Sequence, residues 1–305
     1  MGGQVFKGKT EPIAISNVWP TVNKFKSELK KVFPGIQHKI DNIFTLGSTG
    51  KKPYSGDIDL GIDENCLDEI GALGLDETRV AHYFDKFSKR ARSAKAHQIR
   101  MRAILAVMAE KLSDAGLYVD DKSTSNGVLF FSFPQVTKYG EQLGHYVQID
   151  LNFGDADWLK FTYYSNETDP NTNIKGLHRT QLILHMFSYK GYTMSHNYGI
   201  KDKATQEIVA TTPAEAIKIL NDLYKLDLTE EKLNTYKKVK EAVDSLNNEV
   251  KTGIYNMYLK TLDSTRCDIP HDLQNYWWDN RKKLGLVGKF LPETSGLYPL
   301  VQMFK

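Results

Sequence analysis

From Ile15 to Phe33 the apolar residues Val18, Val22, Phe25, Leu29 and Val32 recur every three to four positions, lysines cover the opposite face, and Pro34-Gly35 ends the run. That spacing predicts an amphipathic helix. Two short strands are expected next, near Asn42 to Leu46 and Asp57 to Ile62, joined by a turn rich in glycine and lysine. Between Asp76 and Ala115 the positions Val80, Phe84, Phe87, Ala91, Ala94, Met101, Leu105, Met108 and Leu112 keep a helical period, as one long helix or two in tandem. Strands near Leu117 to Lys122, Val128 to Pro134 and Gly144 to Phe153 are bounded by SNG and KYGEQLG, which supply the Gly and Asn that hairpins need.

The polar stretch YSNETDPNTNIK, Tyr164 to Lys175, has no period and marks the expected boundary. Beyond it, helical patterns run over Leu177 to Tyr189, Pro213 to Tyr224, Glu230 to Leu246, Gly253 to Leu262 and His271 to Lys283, with no internal repeat. The pattern therefore predicts an α+β chain: a mixed, mainly antiparallel sheet with helices in residues 1–165, then a mainly helical domain in 166–305.

Composition narrows the class without naming a partner. The 305 residues are 41% hydrophobic and 25% charged, with no run of about 18 apolar residues that would span a membrane. The start MGGQVFKGKTEP lacks the apolar core of a secretory signal, and Phe6 stands where a myristoylation signal wants Ser or Thr, so a cytoplasmic protein is expected. There the sequon Asn166-Glu167-Thr168 would go unused. Cys66 and Cys267 lie far apart with no zinc spacing, which favours reduced thiols. A net charge of +3 is too weak to imply nucleic acid by itself.

The chemistry concentrates in FTLGSTGKKPYSGDIDLGID, Phe44 to Asp63. Strand alternation turns Asp57 and Asp59 to one face and Ile58, Leu60 and Ile62 to the other. Two carboxylates so close are costly as bare anions, and a divalent cation relieves the repulsion while supplying an electrophile for phosphate oxygens. Magnesium, or manganese, with ATP as the favoured substrate, fits that pattern. Gly47-Ser48, nine residues before Asp57, ends an apolar strand where backbone N–H groups can approach a phosphate, and Lys51 and Lys52 follow in the same turn. GSTGKK is not a P-loop, because GxxxxGK followed by Ser or Thr is absent. In Val147 to Phe153 the residues Val147, Ile149, Leu151 and Phe153 are expected to face the core, and Gln148, Asp150 and Asn152 the cleft. Asp150 is the expected third ligand and a possible general base; three carboxylates suffice for two-metal nucleotidyl transfer.

Gly47-Ser48, Asp57-x-Asp59 and Asp150 together resemble the DNA polymerase β-like nucleotidyltransferase superfamily, over roughly 110 residues. The resemblance implies a nucleotidyltransferase palm in which Asp57 and Asp59 bind two metal ions, Asp150 binds the catalytic one, and the Gly-Ser turn holds the triphosphate. It also implies a basic residue and an aromatic on a helix after the palm, for which Arg179 and Tyr189 or Lys190 are candidates. The 90 residues between Asp59 and Asp150 exceed the spacing of the minimal antibiotic-modifying members, and no RRD motif of the bacterial CCA-adding class is found.

The acceptor is the open term. Seven Lys or Arg and no acid occur in KFSKRARSAKAHQIRMR. Lys89, Arg90, Arg92, Lys95 and Arg100 are candidates for tracking a phosphate backbone, against a merely solvated helix face. Transfer of an NMP to an RNA 3′ end with release of pyrophosphate is therefore expected. Nucleotidylation of a protein, synthesis of a nucleotide second messenger, and an inactive palm that binds nucleotide or RNA are the alternatives. His178 and His185 share a helix face but have no third ligand, so packing is favoured over zinc. Phe161 to Tyr164 and Tyr276 to Trp278 are read as core before base-stacking surface.

Overall fold

Helix-forming periodicity at the start of the chain and alternation further on are realised as a helix laid on a sheet. The computed structural model describes residues 5–6, 8–90, 96–122, 124–164, 176–265 and 267–286. Contacts divide the chain into two compact units, Met1–Glu167 with Ser195–Gly199 and Thr211–Pro213, and Thr168–Met194 with Ile200–Ala210 and Ala214–Lys305.

In the first unit, β1 (Ile13–Ala14) leads into α1 (Ile15–Val32), a short α2 (Gln37–Asp41), β2 (Phe44–Thr45), β3 (Tyr54–Ser55) and β4 (Ile58–Asp63). A short α3 (Ile70–Leu73) precedes α4 (Glu77–Ser88) and α5 (Ala96–Asp114), and β5 (Tyr118–Asp120), β6 (Val128–Val136), β7 (Gln142–Gly154) and α6 (Ala156–Thr162) complete it. Five strands form one sheet in the order β2-β4-β7-β6-β5. All its pairings are antiparallel except β4 with β7, which run parallel. A mixed α+β architecture is thus observed. Strands β1 and β3 form a separate antiparallel pair.

α1 buries Val18, Thr21, Val22, Phe25 and Leu29. Phe25 meets Phe131 of β6 edge-on at 4.8 Å, a favourable aromatic geometry, and Thr21 Oγ1 accepts from the Val136 N–H at 2.9 Å. The 77–114 region is two helices, not one. Asp76 caps α4 by accepting from the Thr78 and Arg79 N–H groups. α5 folds back along α4, so that Arg79 near the start of one grips Glu110 near the end of the other at 3.0 and 2.7 Å. The middle of α5, Ala103 to Ala109, is apolar all round and buried, as expected of a helical segment enclosed by its neighbours.

The second unit comprises α7 (Gly176–Tyr189), α8 (Pro213–Tyr224), α9 (Tyr236–Asp244), α10 (Asn248–Thr265) and α11 (Gln274–Leu284). It also carries a three-stranded sheet, β10-β9-β8, from β8 (Tyr192–Ser195), β9 (Gly199–Asp202) and β10 (Ile208–Ala210), beside the helices that the sequence pattern predicts. Its core sets Leu182, Ile183, Met186 and Phe187 of α7 against Tyr258, Leu259 and Leu262 of α10, all fully buried. Close approach is possible because Gly253 faces the Tyr189 ring, where an added Cβ would lie 2.2 Å from a ring carbon. Among the described residues no helix is long and apolar enough to cross a membrane.

Candidate active site

Ile58 and Leu60 of β4 and Ile149 and Leu151 of β7 are buried in one apolar layer, so the residues between them must emerge on the other face. Parallel pairing then sets Asp59 directly opposite Asp150. Asp57, two residues earlier, joins them, and the three carboxylates each present an oxygen within 4.8 Å of the others. Among the described residues this is the one acidic or His/Cys group of that kind.

Asp150 and Asp59 are held by polar neighbours. Gln148 Nε2 donates to Asp150 Oδ1 at 2.7 Å while its Oε1 accepts from the Val5 N–H at 3.0 Å. Asn152 donates to the carbonyls of Leu60 and Asp150 at 3.1 and 3.2 Å and accepts from the Tyr163 hydroxyl at 2.8 Å. The cleft-facing Gln148 and Asn152 are therefore buried floor, not open surface. On the other side the Asp59 N–H donates to Thr49 Oγ1 at 2.8 Å, and the Leu46 N–H donates to the Asp59 carbonyl at 2.9 Å.

Gly47 sits in the left-handed region at φ +58, and a Cβ there would fall 2.9 Å from Asp59 Oδ2. Only glycine lets the turn touch that carboxylate. Its N–H, expected to face a phosphate, donates instead to the Tyr163 carbonyl at 3.0 Å. Ser48 is half-buried in the same turn, and Lys51 and Lys52 are exposed beyond it.

Burial, then Asp57, then Asp150 hold the Asp59 carboxyl well above the usual carboxylate range. Asp150 is pushed up to about 7 by burial first and Asp57 second, with the Gln148 hydrogen bond acting the other way. The Tyr163 phenol is raised by burial and then by both carboxylates. Such a cluster ionises fully only when positive charge is supplied. Hard oxygen donors at this separation fit magnesium or manganese held by Asp57, Asp59 and Asp150.

Beside Asp59 and Asp150 lies a cavity of about 430 Å³, walled by Asn126, Val128, Phe130, Asn152, Tyr163 and the segment Ser195 to Asn197. That segment belongs to the first unit, although its flanking strands are largely counted with the second. Asn197 Nδ2 clamps it to the carbonyls of Gly127 and Phe153 at 3.1 and 3.0 Å. Trp158 Nε1 donates to the Ser195 carbonyl at 3.0 Å, and Thr162 Oγ1 to the His196 carbonyl at 2.9 Å. α6 delivers both donors, and Asp155 caps it immediately after β7. Thr49 and His196 are site residues that sequence reasoning missed, and Tyr163 entered it only within the aromatic run Phe161 to Tyr164, read as core first; of the two missed, only Thr49, next to Gly47-Ser48, carried a positional signal.

The remaining predicted residues are described in their own surroundings, and none of the described ones lines this cavity. Arg179 is buried at 3% exposure within the second unit, its Nε donating to the Leu233 carbonyl. Lys190 is exposed in that unit, over the Tyr224 ring at 5.3 Å. Lys89 and Arg90 are exposed just past α4, Arg92 and Lys95 lie outside the described residues, and Arg100 on α5 pairs with Asp68 at 3.6 Å. The basic run is therefore split between two helices, with no single helical face. His178 Nδ1 meets the Tyr258 hydroxyl at 2.7 Å, a packing role. Phe161 and Trp277 are buried, and both cysteines are buried free thiols. Compared with models of known protein families and with curated proteins, the chain matches none.

Proposed function

We propose that this protein is a metal-dependent nucleotidyltransferase with a polymerase β-like palm, moving an NMP from an NTP to a hydroxyl acceptor with release of pyrophosphate. The observation that carries the reading is the register of Asp59 with Asp150, which brings three carboxylates within 4.8 Å beside a glycine turn and an open cavity.

Two bound divalent ions would neutralise these carboxylates and polarise the phosphate oxygens. The chain itself supplies the rest. Asp57, Asp59 and Asp150 fix the ligand atoms, and Gln148 and Asn152 hold the third strand's carboxylate and backbone in place. The acceptor oxygen forms a new bond to the α-phosphorus, the bond from that phosphorus to the bridging oxygen breaks, and pyrophosphate leaves. Asp150, which lines the cavity beside Asp59, is the carboxylate placed to receive the hydroxyl proton. ATP is the favoured donor and an RNA 3′ end the favoured acceptor, in the cytoplasm.

The test is incubation with labelled NTPs and magnesium or manganese, with RNA, protein or no added acceptor. Label should enter the acceptor and vanish in Asp57→Ala/Asp59→Ala. Transfer unchanged by that double substitution would falsify the site.

A further inference from the structure

The sheet order separates two sides of the carboxylates. Gly47 and Ser48 follow β2, at the β2–β4 side of Asp59. The 430 Å³ cavity extends from Asp59 and Asp150 over Asn152, Val128 and Phe130, toward β6. In phosphoryl transfer the attacking and leaving oxygens lie roughly in line across the phosphorus. A triphosphate held at the glycine turn therefore leaves the cavity as the direction of attack.

Among the described residues, the cavity wall carries no charged side chain apart from the two aspartates: Asn126, Asn152, Ser195, His196 and Asn197 are polar and Phe130 and Tyr163 aromatic. A polyanionic backbone meets no cation among these residues. A flat, neutral, hydroxyl-bearing unit does find a ring and hydrogen-bonding groups, and the volume lies within the range of small-ligand sites. His196 stands apart among these. Its backbone is fixed by Thr162, its ring lies 5.2 Å from that of Tyr163, and burial lowers its basicity. Asn197, by contrast, is spent on the carbonyls of Gly127 and Phe153. The clamp is specific: a Cβ on Gly127 would come 3.2 Å from Asn197 Nδ2, and one on Gly154 would come 3.0 Å from the Asn197 carbonyl oxygen.

We infer that this cavity, resting on the transfer reading above, holds the acceptor as a single nucleoside unit, and that His196 is a positioning residue that hydrogen-bonds it. The same chemistry is offered by the 3′-terminal nucleoside of an RNA and by a free nucleotide.

Adenosine and ATP are each titrated calorimetrically into the full chain with magnesium. Asn126→Trp, at an exposed rim position, and His196→Ala should each weaken adenosine about tenfold or more, the value of one good hydrogen bond or of a blocked mouth, with ATP affinity kept. In transfer assays His196→Ala should raise the acceptor KM with kcat and donor KM little changed, and His196→Gln should restore part of it. No adenosine binding, adenosine affinity unchanged in both variants, or ATP affinity lost in parallel would each overturn the inference. Label on RNA or on free nucleotide supports it and identifies the source, whereas label on protein overturns it. Failure of the Asp57→Ala/Asp59→Ala test would remove the transfer reading separately, because adenosine binding is measured without turnover.

Discussion

Asp59 and Asp150 face each other across two parallel strands, and neither carboxyl is at its ordinary acidity. Both are raised, so the folded state holds protons that the unfolded chain has already released. The stabilisation is complete below pH ~4 and is lost as pH rises toward the folded value, which for Asp150 is about 7. In a chelator the melting temperature of the natural chain should therefore fall, relative to Asp150→Asn, over that window. Magnesium should raise it more at pH 8 than at pH 5. An equal rise in Asp57→Ala/Asp59→Ala would place the ion elsewhere.

Gly47→Ala tests the contact between turn and carboxylate. The left-handed backbone costs about 1–2 kcal/mol, and the new methyl must displace Asp59 Oδ2, now 2.9 Å from its position. Denaturant unfolding should register the first effect and transfer assays the second, as a loss of about tenfold or more in kcat/KM. Full activity in a destabilised variant would mean that Asp59 need not sit where it does.

Gly61 answers a different need. Its backbone is ordinary, but a Cβ would lie 2.5 Å from the Phe44 ring on the adjacent strand. Gly61→Ala should cost about 1–3 kcal/mol by overpacking. Most of that should return in Gly61→Ala/Phe44→Ala, giving a clear coupling energy in a double-mutant cycle. Strictly additive costs would show that the ring is not the obstacle.

In the second unit His185 is buried at 5% exposure with neither ring nitrogen hydrogen-bonded. Burial first, and Lys203 second, lower its pKa to about 4. Its contribution is present above pH ~6.5 and is lost as pH falls toward the folded value, on the order of 3 kcal/mol in all. His185→Phe should flatten that acid limb in urea titrations between pH 7 and 4. An unchanged limb would assign the acid sensitivity to other groups.

The carboxylate site was legible because alternation and register obey local rules. Ile58, Leu60, Ile149 and Leu151 announce their faces in the sequence, and the aspartates between them inherit the opposite one. Helices with long apolar stripes were equally plain; Pro213–Tyr224 forms as the pattern predicts. What escaped depends on tertiary partners. Strands β8 to β10 are three or four residues long, too short for a period to show. Arg179 looks like a surface cation on a helix, yet its guanidinium is enclosed with the Leu233 carbonyl. His196 has no motif around it, and gains its place from Trp158, Thr162 and Asn197.

The parallel pairing of β4 with β7 also sets a timetable for synthesis. Residues Glu64 to Glu141 separate the two strands, so the Asp59–Asp150 contact closes a long loop and belongs to the slow, non-local events of folding. A ribosome-bound chain that has exposed Asp57 and Asp59 has no third carboxylate until β7 emerges. His196 follows later still. The nascent protein thus acquires its cation ligands, with Asn126, Val128 and Phe130, before the Ser195 to Asn197 segment that completes the cavity wall, and a chain cut short between Gly154 and Ser195 would carry the ligands without that segment.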